Sequence, residues 1–219
     1  MNDNLTGVIS GIEPHQKNKH RYHIYIRGQY AFSVHEDIVV KYRLVQGREV
    51  DQTLYQLLCV EEERHLAYAK AVRFLGHRRR TEYEMRQKLE NDGIERAHIE
   101  HAVKTLRQQG YLDDAQFARQ FASDKLRLQK KGAKWIEYAL KRKGIAEEMI
   151  QSAMNELPRN EEMEAAYKLA QKKWKQLDGK PLPERKQKTM GYVMRRGFPS
   201  SVTREVIDKL MTDEDHEER

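Results

Sequence analysis

Apolar positions along most of this chain recur with a helical period, and the pattern of recurrence itself repeats. Counting from the residue after Gly93, apolar side chains stand at +5, +9 and +12 as Ile99, Val103 and Leu106. After Gly144 the same places hold Ile150, Met154 and Leu157. After Gly197 they hold Thr203, Ile207 and Leu210, with Val202 and Val206 beside the threonine. Such spacing lays one apolar stripe along a helix. Upstream, Leu66, Ala67 and Ala71 align with Phe117, Ala118 and Ala122, which predicts a second recurring helix.

The segments that run into the glycines match as well. Leu89-Glu-Asn-Asp-Gly93-Ile94 reappears as Leu140-Lys-Arg-Lys-Gly144-Ile145 and, more loosely, as Val193-Met-Arg-Arg-Gly197-Phe198, with the glycines 51 and then 53 residues apart. A period of this size marks an array of similar units, here three helices each. Arrays of this kind usually present an extended binding surface in place of an enzyme pocket. The third copy diverges most, carrying an insertion over Asp178–Pro183 between its first two helices.

Punctuation residues divide the helices. Asp51 caps a long helix to Leu75, with Leu54, Leu57, Leu58, Leu66 and Val72 as its expected inward positions. Thr81 and Glu84 form a capping box that opens the middle helix of copy one. Gly93 then ends that helix as a left-handed cap. Gly110 closes the copy, and Asp113 or Asp114 caps the next helix. Gly132 and Pro158 mark further breaks, and the polar run Asp213–Arg219 is expected to fray.

Residues 1–50 follow a different rhythm. Thr6–Pro14 reads as a strand ended by proline, and Arg21–Arg27 alternates, with Tyr22, Ile24 and Ile26 on one face and His23 and Tyr25 on the other. Gly28-Gln29 signals a turn into a partner strand, Tyr30–Val34, and a short helix follows over His35–Leu44. The expected organisation is mainly α. A small β-meander subdomain (1–50) precedes a linking helix with repeat one (51–112), repeat two (113–157), repeat three (158–211) and an acidic tail (212–219). The repeats are expected to form an elongated array.

Composition narrows the class. The chain has 219 residues, 34% of them charged, and a net charge of +7. No apolar run approaches the roughly 18 residues that cross a bilayer, and Met1–Leu5 lacks the features of a signal peptide. The single cysteine, Cys59, forms no internal disulfide and suits a reducing cytoplasm. Its apolar helical setting predicts a small core residue.

The positive charge is clustered. Residues 125–143 hold eight Lys or Arg against Glu137 alone, and residues 168–196 hold ten against Asp178 and Glu184. Clusters recurring at equivalent places in a repeat point to a polyanionic partner. The candidates are Arg78, Arg79, Arg80 and Arg86, then Lys130, Lys131, Lys134, Lys141, Arg142 and Lys143, then Lys172, Lys173, Lys175, Arg195 and Arg196. Reversing Lys141, Arg142 and Lys143 together should abolish partner binding without unfolding the chain.

Enzymatic and metal readings find little support. His20 and His23 point to opposite faces of a strand. His98 and His101 share a helix face that reads as solvated surface, and Asp113-Asp114 reads as caps. Trp135 and Trp174 carry apolar neighbours at helical spacing, so core packing outweighs base stacking. No phosphate-binding glycine loop or nucleophile elbow is present. No catalytic residue, metal or cofactor is expected.

With these segments in view, the chain resembles the RecX family of bacterial RecA modulators. The resemblance rests on Leu75–Ile94, on Gly110-Tyr-Leu-Asp-Asp-Ala-Gln-Phe-Ala118, on Lys131–Ile145 and on Arg195-Arg-Gly-Phe198. The N-terminal strands look like the extension of the longer Gram-positive members. The resemblance implies a monomeric, non-enzymatic, cytoplasmic protein of DNA repair, homologous recombination and the SOS response. It implies a curved array of three-helix bundles that binds in the groove of the RecA filament on single-stranded DNA, with weak contact to single-stranded and also to double-stranded DNA. It implies inhibition of ATP hydrolysis and strand exchange, or filament disassembly. The rival reading is a stand-alone DNA-binding module that competes for the strand.

Overall fold

The computed structural model describes residues 5–217, and side chains as far as Glu214. The chain forms two compact units, one running to Arg78 and resuming over Met85–Gln109, the other made of Arg79–Glu84 and the chain from Gly110 onward.

The first unit opens with strands β1 (Gly7–Pro14), β2 (Arg21–Ile26) and β3 (Gln29–His35), then helix α1 (Glu36–Lys41) and the two-residue strand β4 (Glu49–Val50). All pairings are antiparallel, in the order β3-β2-β1-β4. The expected meander is therefore present, with β4 added. A two-residue strand has no periodicity to read. Arg27 and Gly28 both take positive φ, 54° and 76°, in the two-residue loop between β2 and β3. That is the requirement of a tight turn matching the twist of a hairpin. Ile24 and Ile26 are buried, as the alternation requires, with Ile9, Val34, Ile38 and Leu58 around them.

Helix α2 (Gln52–Leu75) starts where Asp51 accepts a hydrogen bond from the Leu54 amide at 2.7 Å. Its inward positions differ from the expected stripe. Leu58, Ala67 and Ala71 are buried, Leu54 is half-buried, and Leu57, Leu66 and Val72 are exposed. The reason is geometric. At 3.6 residues per turn, Leu58 and Ala67 lie on roughly opposite sides of the helix. Leu58 packs into the strand core, while the Ala67 and Ala71 end runs beside α4 (Arg96–Gln108). A helix serving two neighbours has no single stripe. Cys59 falls between these faces and is exposed, so it is not the core residue expected.

Helix α3 (Glu82–Asn91) belongs to the first unit from Met85 and to the second in its opening turn. The capping box is formed: Thr81 Oγ1 accepts from the Glu84 amide at 3.1 Å, and Glu84 Oε2 accepts from the Thr81 amide at 3.3 Å. Gly93 takes φ +75°, the left-handed cap predicted for it.

The second unit continues with α5 (Asp114–Gln129), α6 (Ala133–Lys141), α7 (Glu147–Asn155), α8 (Arg159–Gln176), α9 (Leu182–Arg195) and α10 (Ser200–Glu217). Repeats two and three share one core, in which Phe117, Ile136, Ile150, Trp174, Val193 and Phe198 meet. Neighbouring repeats that complete each other's core are the stabilising device of such arrays. Truncating the fully buried Phe198 would cost about 3–5 kcal/mol. Trp174 is core, as expected, and Trp135 packs against it half-buried. The two aspartates divide the capping work. Asp113 accepts from the Gln116 amide at 2.8 Å, and Asp114 accepts from the Glu82 amide at 2.9 Å, capping a helix of the preceding repeat.

The polar run from Asp213 does not fray at its start, because α10 continues to Glu217. Tyr167 donates to Asp213 at 2.7 Å, and Trp174 Nε1 and Arg185 both donate to Glu214, at 3.0 and 2.9 Å. Acids at the far end of a helix thus meet donors from α8 and α9. The last two positions of the expected tail, 218–219, lie outside the described residues.

Candidate contact surface for a polyanionic partner

The repeat glycines make the joints that gather the basic residues. At Gly132 the amide donates to the Arg196 carbonyl at 2.9 Å, and the Lys134 amide donates to the Gly197 carbonyl at 3.0 Å. A Cβ on Gly132 would lie 2.3 Å from the Phe198 nitrogen, and one on Gly197 would lie 2.4 Å from Trp135 Cβ. Only bare backbone permits this approach. The preceding joint is built alike. Thr81 Oγ1 donates to the Lys143 carbonyl at 2.8 Å, and a Cβ on Gly144 would lie 2.3 Å from Tyr83 Cβ. Each joint therefore sets the glycine that ends one middle helix against the start of the previous middle helix.

The Gly132 joint brings the loop cations of two repeats together. Lys130 caps α5 in the left-handed conformation, φ +50°. Lys131 lies over the Trp135 ring at 4.4 Å. Its ammonium is held below the ordinary lysine range, first by burial and then by the charges of Arg196 and Lys125. The neighbouring charges that move it are both positive, so an anion placed here would relieve them.

The candidates separate by what they touch. Arg86 grips Glu100 through Nε and Nη2 at 3.0–3.2 Å and holds that carboxyl below its usual range. Lys143 is half-buried, ion-paired with Glu84 at 2.5 Å and set over Phe117 at 5.5 Å. Arg196 donates to the carbonyls of Gln129 and Lys130 at the end of α5. Arg79 donates to Gln116 at 3.0 Å. These residues already hold the fold. Lys173 lies 5.8 Å from the Tyr192 ring, and Arg80 is half-buried. Arg78, Lys134, Lys141, Arg142, Lys172, Lys175 and Arg195 are exposed. Of these, Lys141 pairs with the exposed Glu147 at 2.8 Å, an interaction that solvent screens.

The outer row of α6 is the most regular exposed feature. Lys134, Tyr138 and Arg142 stand at i, i+4 and i+8, and so on one face of the helix. Tyr138 is 61% exposed, and the Arg142 guanidinium lies 6.0 Å from its ring. Two cations flanking an uncovered aromatic can hold a phosphate backbone or a run of carboxylates. Tyr138 did not stand out in the sequence, although its place midway between two basic residues on one face was legible there.

His98 corrects another expectation. It is buried, not solvated, with Nε2 2.7 Å from Glu63. The expected split of His20 and His23 holds: His20 meets Glu36 at 2.6 Å, and His23 meets Ser33 at 2.6 Å.

Sequence models of one family match in four blocks. They are the regulatory protein RecX N-terminal domain at residues 7–51 and the first, second and third RecX three-helix domains at 67–114, 113–154 and 160–207. The chain belongs to the RecX family. Relatives named regulatory protein RecX include that of Oceanobacillus iheyensis, 31% identical over 94% of this chain and 78% of the relative. That of Limosilactobacillus reuteri is 32% identical over 96% and 79%. A crystal structure of regulatory protein RecX is similar at a TM-score of 0.80 and 32% identity, covering 92% of this chain and 99% of that one. RecX from Lactobacillus salivarius shares the fold at a TM-score of 0.67 and 20% identity over 69% of this chain. Among the described residues no helix is long and apolar enough to cross a membrane.

Proposed function

We propose that this RecX-family chain is a non-enzymatic modulator of the RecA recombinase. It acts in the cytoplasm by binding the RecA filament on single-stranded DNA and suppressing ATP hydrolysis and strand exchange. The observation that carries the reading is the exposed Lys134–Tyr138–Arg142 row beside the cation-rich Gly132 joint. The regulatory name of the relatives supports it. Suppression requires that the chain bind one state of the filament more tightly than another.

The proposed contact set is narrower than the full list of candidates from the charge pattern. Reversing Lys143 would set a carboxylate against half-buried Glu84, so a triple reversal that includes it disturbs the fold as well as the surface. The cleaner variant is Lys134→Glu with Arg142→Glu, both exposed. The test is RecA's single-strand-dependent ATP hydrolysis titrated with wild type and with this double variant. The variant, folded by circular dichroism, should need roughly tenfold more protein or beyond for half-inhibition. Equal inhibition by the variant refutes the assigned surface. Inhibition by wild type only in excess over RecA, tracking its affinity for bare DNA, favours strand competition, for which Tyr138 offers a stacking face.

A further inference from the structure

The first unit holds a cluster that the proposed function does not use. His35 ends β3, Asp37 lies in the first turn of α1, and His65 projects from α2. The Nδ1 of His35 stands 3.4 Å from Asp37 Oδ2, and the Nε2 of His65 stands 3.7 Å from the same oxygen. All three donor atoms lie within 4.8 Å of one another. In a tetrahedral site with bonds of roughly 2.1 Å, ligand atoms are separated by about 3.4 Å. Two edges of the triangle are therefore near those of a loaded site, and the His35 and His65 rings, stacked with centroids 3.7 Å apart, would have to turn to bring both lone pairs onto one ion.

We propose that His35, Asp37 and His65 form a binding site for a divalent transition-metal ion such as Zn²⁺, with a fourth position open to solvent. Two imidazoles and one carboxylate are the donor set such ions favour. His35 Nδ1 accepts a hydrogen bond from the Asp37 amide at 3.3 Å, so this nitrogen carries a lone pair and its proton is on Nε2. The bond it would surrender is long and weak. The nearby cations are each paired with a carboxylate. Lys41 and Arg64 pair with Glu61, and Arg21 pairs with Glu62. Asp37 and His65 also line a cleft of about 420 Å³, with Tyr68 and His101 on its walls, so an ion and its water have a path in.

The site joins residues far apart in sequence. Asp37 and His65 are separated by 28 positions, and packing of α1 on α2 brings them together. A bound ion would pin the end of the strand region to the long helix and raise thermal stability by mass action.

The test uses the full chain without an affinity tag, stripped with a chelator and desalted. Calorimetric titration with Zn²⁺ should show one saturable site per chain. Co²⁺ should give the visible absorption of a four-coordinate ion. Asp37→Asn removes a ligand that is 75% exposed, so the fold should survive it. His65→Gln removes another. Either change should weaken Zn²⁺ by roughly 100-fold or more, since loss of an outer-shell partner alone costs 10–100-fold. His101→Gln, on the cleft wall, should bind as wild type. The other acid–histidine group of the described residues, Glu63, Glu95 and His98, is monitored with Glu95→Gln. Absence of saturable Zn²⁺ binding overturns the proposal. So does undiminished binding by both Asp37→Asn and His65→Gln, or a loss confined to Glu95→Gln.

Discussion

The joints between repeats predict an ordering among glycine-to-alanine variants that separates backbone strain from steric conflict. Gly179, Gly144 and Gly132 all belong to the second unit. Gly179 has φ +76° and no atom within 4 Å of an added Cβ. Alanine there meets only the left-handed penalty of about 1–2 kcal/mol, partly offset by a less flexible unfolded chain. Gly144 has nearly the same φ, +74°, but its Cβ would lie 2.3 Å from Tyr83 Cβ and 2.4 Å from Cγ. Those atoms root the side chain and cannot swing aside. Overpacking adds about 1–3 kcal/mol, so Gly144→Ala should cost about 2–5 kcal/mol. Gly132 has no positive φ, and alanine there meets backbone alone, 2.3 Å from the Phe198 nitrogen. It should cost about 3 kcal/mol or more, the upper end of overpacking, while stretching the two joint hydrogen bonds. Both tryptophans, Trp135 and Trp174, lie in this unit, so their fluorescence in a urea titration reports it selectively. If Gly132→Ala or Gly144→Ala costs no more than Gly179→Ala, the close approach at the joints is wrong.

Two further variants test the interior of the same unit. Thr203 is fully buried with its hydroxyl unpartnered among the described residues, so Thr203→Val, of the same shape, should stabilise the unit by about 1 kcal/mol in the same urea titration; destabilisation would mean the hydroxyl has a partner. Glu162 is partly buried, and burial raises its carboxyl above the usual range, opposed by the Ala133 amide. A raised folded value means the native state binds the proton more tightly than the unfolded chain. This group's contribution therefore becomes less favourable as pH rises from the unfolded value through the folded one. Glu162→Gln keeps an acceptor for Ala133 and should be the more stable protein at neutral pH. Its advantage should shrink as pH falls toward the ordinary carboxylate range. An advantage that grows on acidification would refute this.

Local chemistry was legible in the sequence wherever one segment decided its own structure. The capping box at Thr81, the carboxylate caps at Asp51 and Asp113, the hairpin after Ile26 and the left-handed cap at Gly93 each depend on a few adjacent residues. What escaped depended on partners far along the chain. α2 turns opposite sides to two neighbours, so three of the five expected inward positions, Leu57, Leu66 and Val72, are exposed and two alanines are buried instead. Cys59 and His98 were misplaced for the same reason, since burial there is set by which neighbour covers which side. The contact candidates divide likewise. Arg86 and Lys143 look like free charge in sequence, yet Glu100 and Glu84 claim them, while Lys134 and Arg142 remain exposed around Tyr138.

The glycine signature itself carries more than a helix stop. A left-handed cap alone would tolerate asparagine at modest cost. Gly93, with nothing within 4 Å of an added Cβ, is under no further steric demand. Gly144 and Gly197 take positive φ and also abut the previous repeat, so asparagine would satisfy the first constraint and violate the second. The same contact explains Gly132, which stands where copy one has the capping Thr81. Thr81 can reach the Lys143 carbonyl with its hydroxyl, whereas the next joint is closed by a bare amide at 2.9 Å. Two chemistries therefore close equivalent joints. Gly144 and Gly197 mark the places where one repeat must touch the previous one, and the second of these contacts sets loop cations from two repeats side by side.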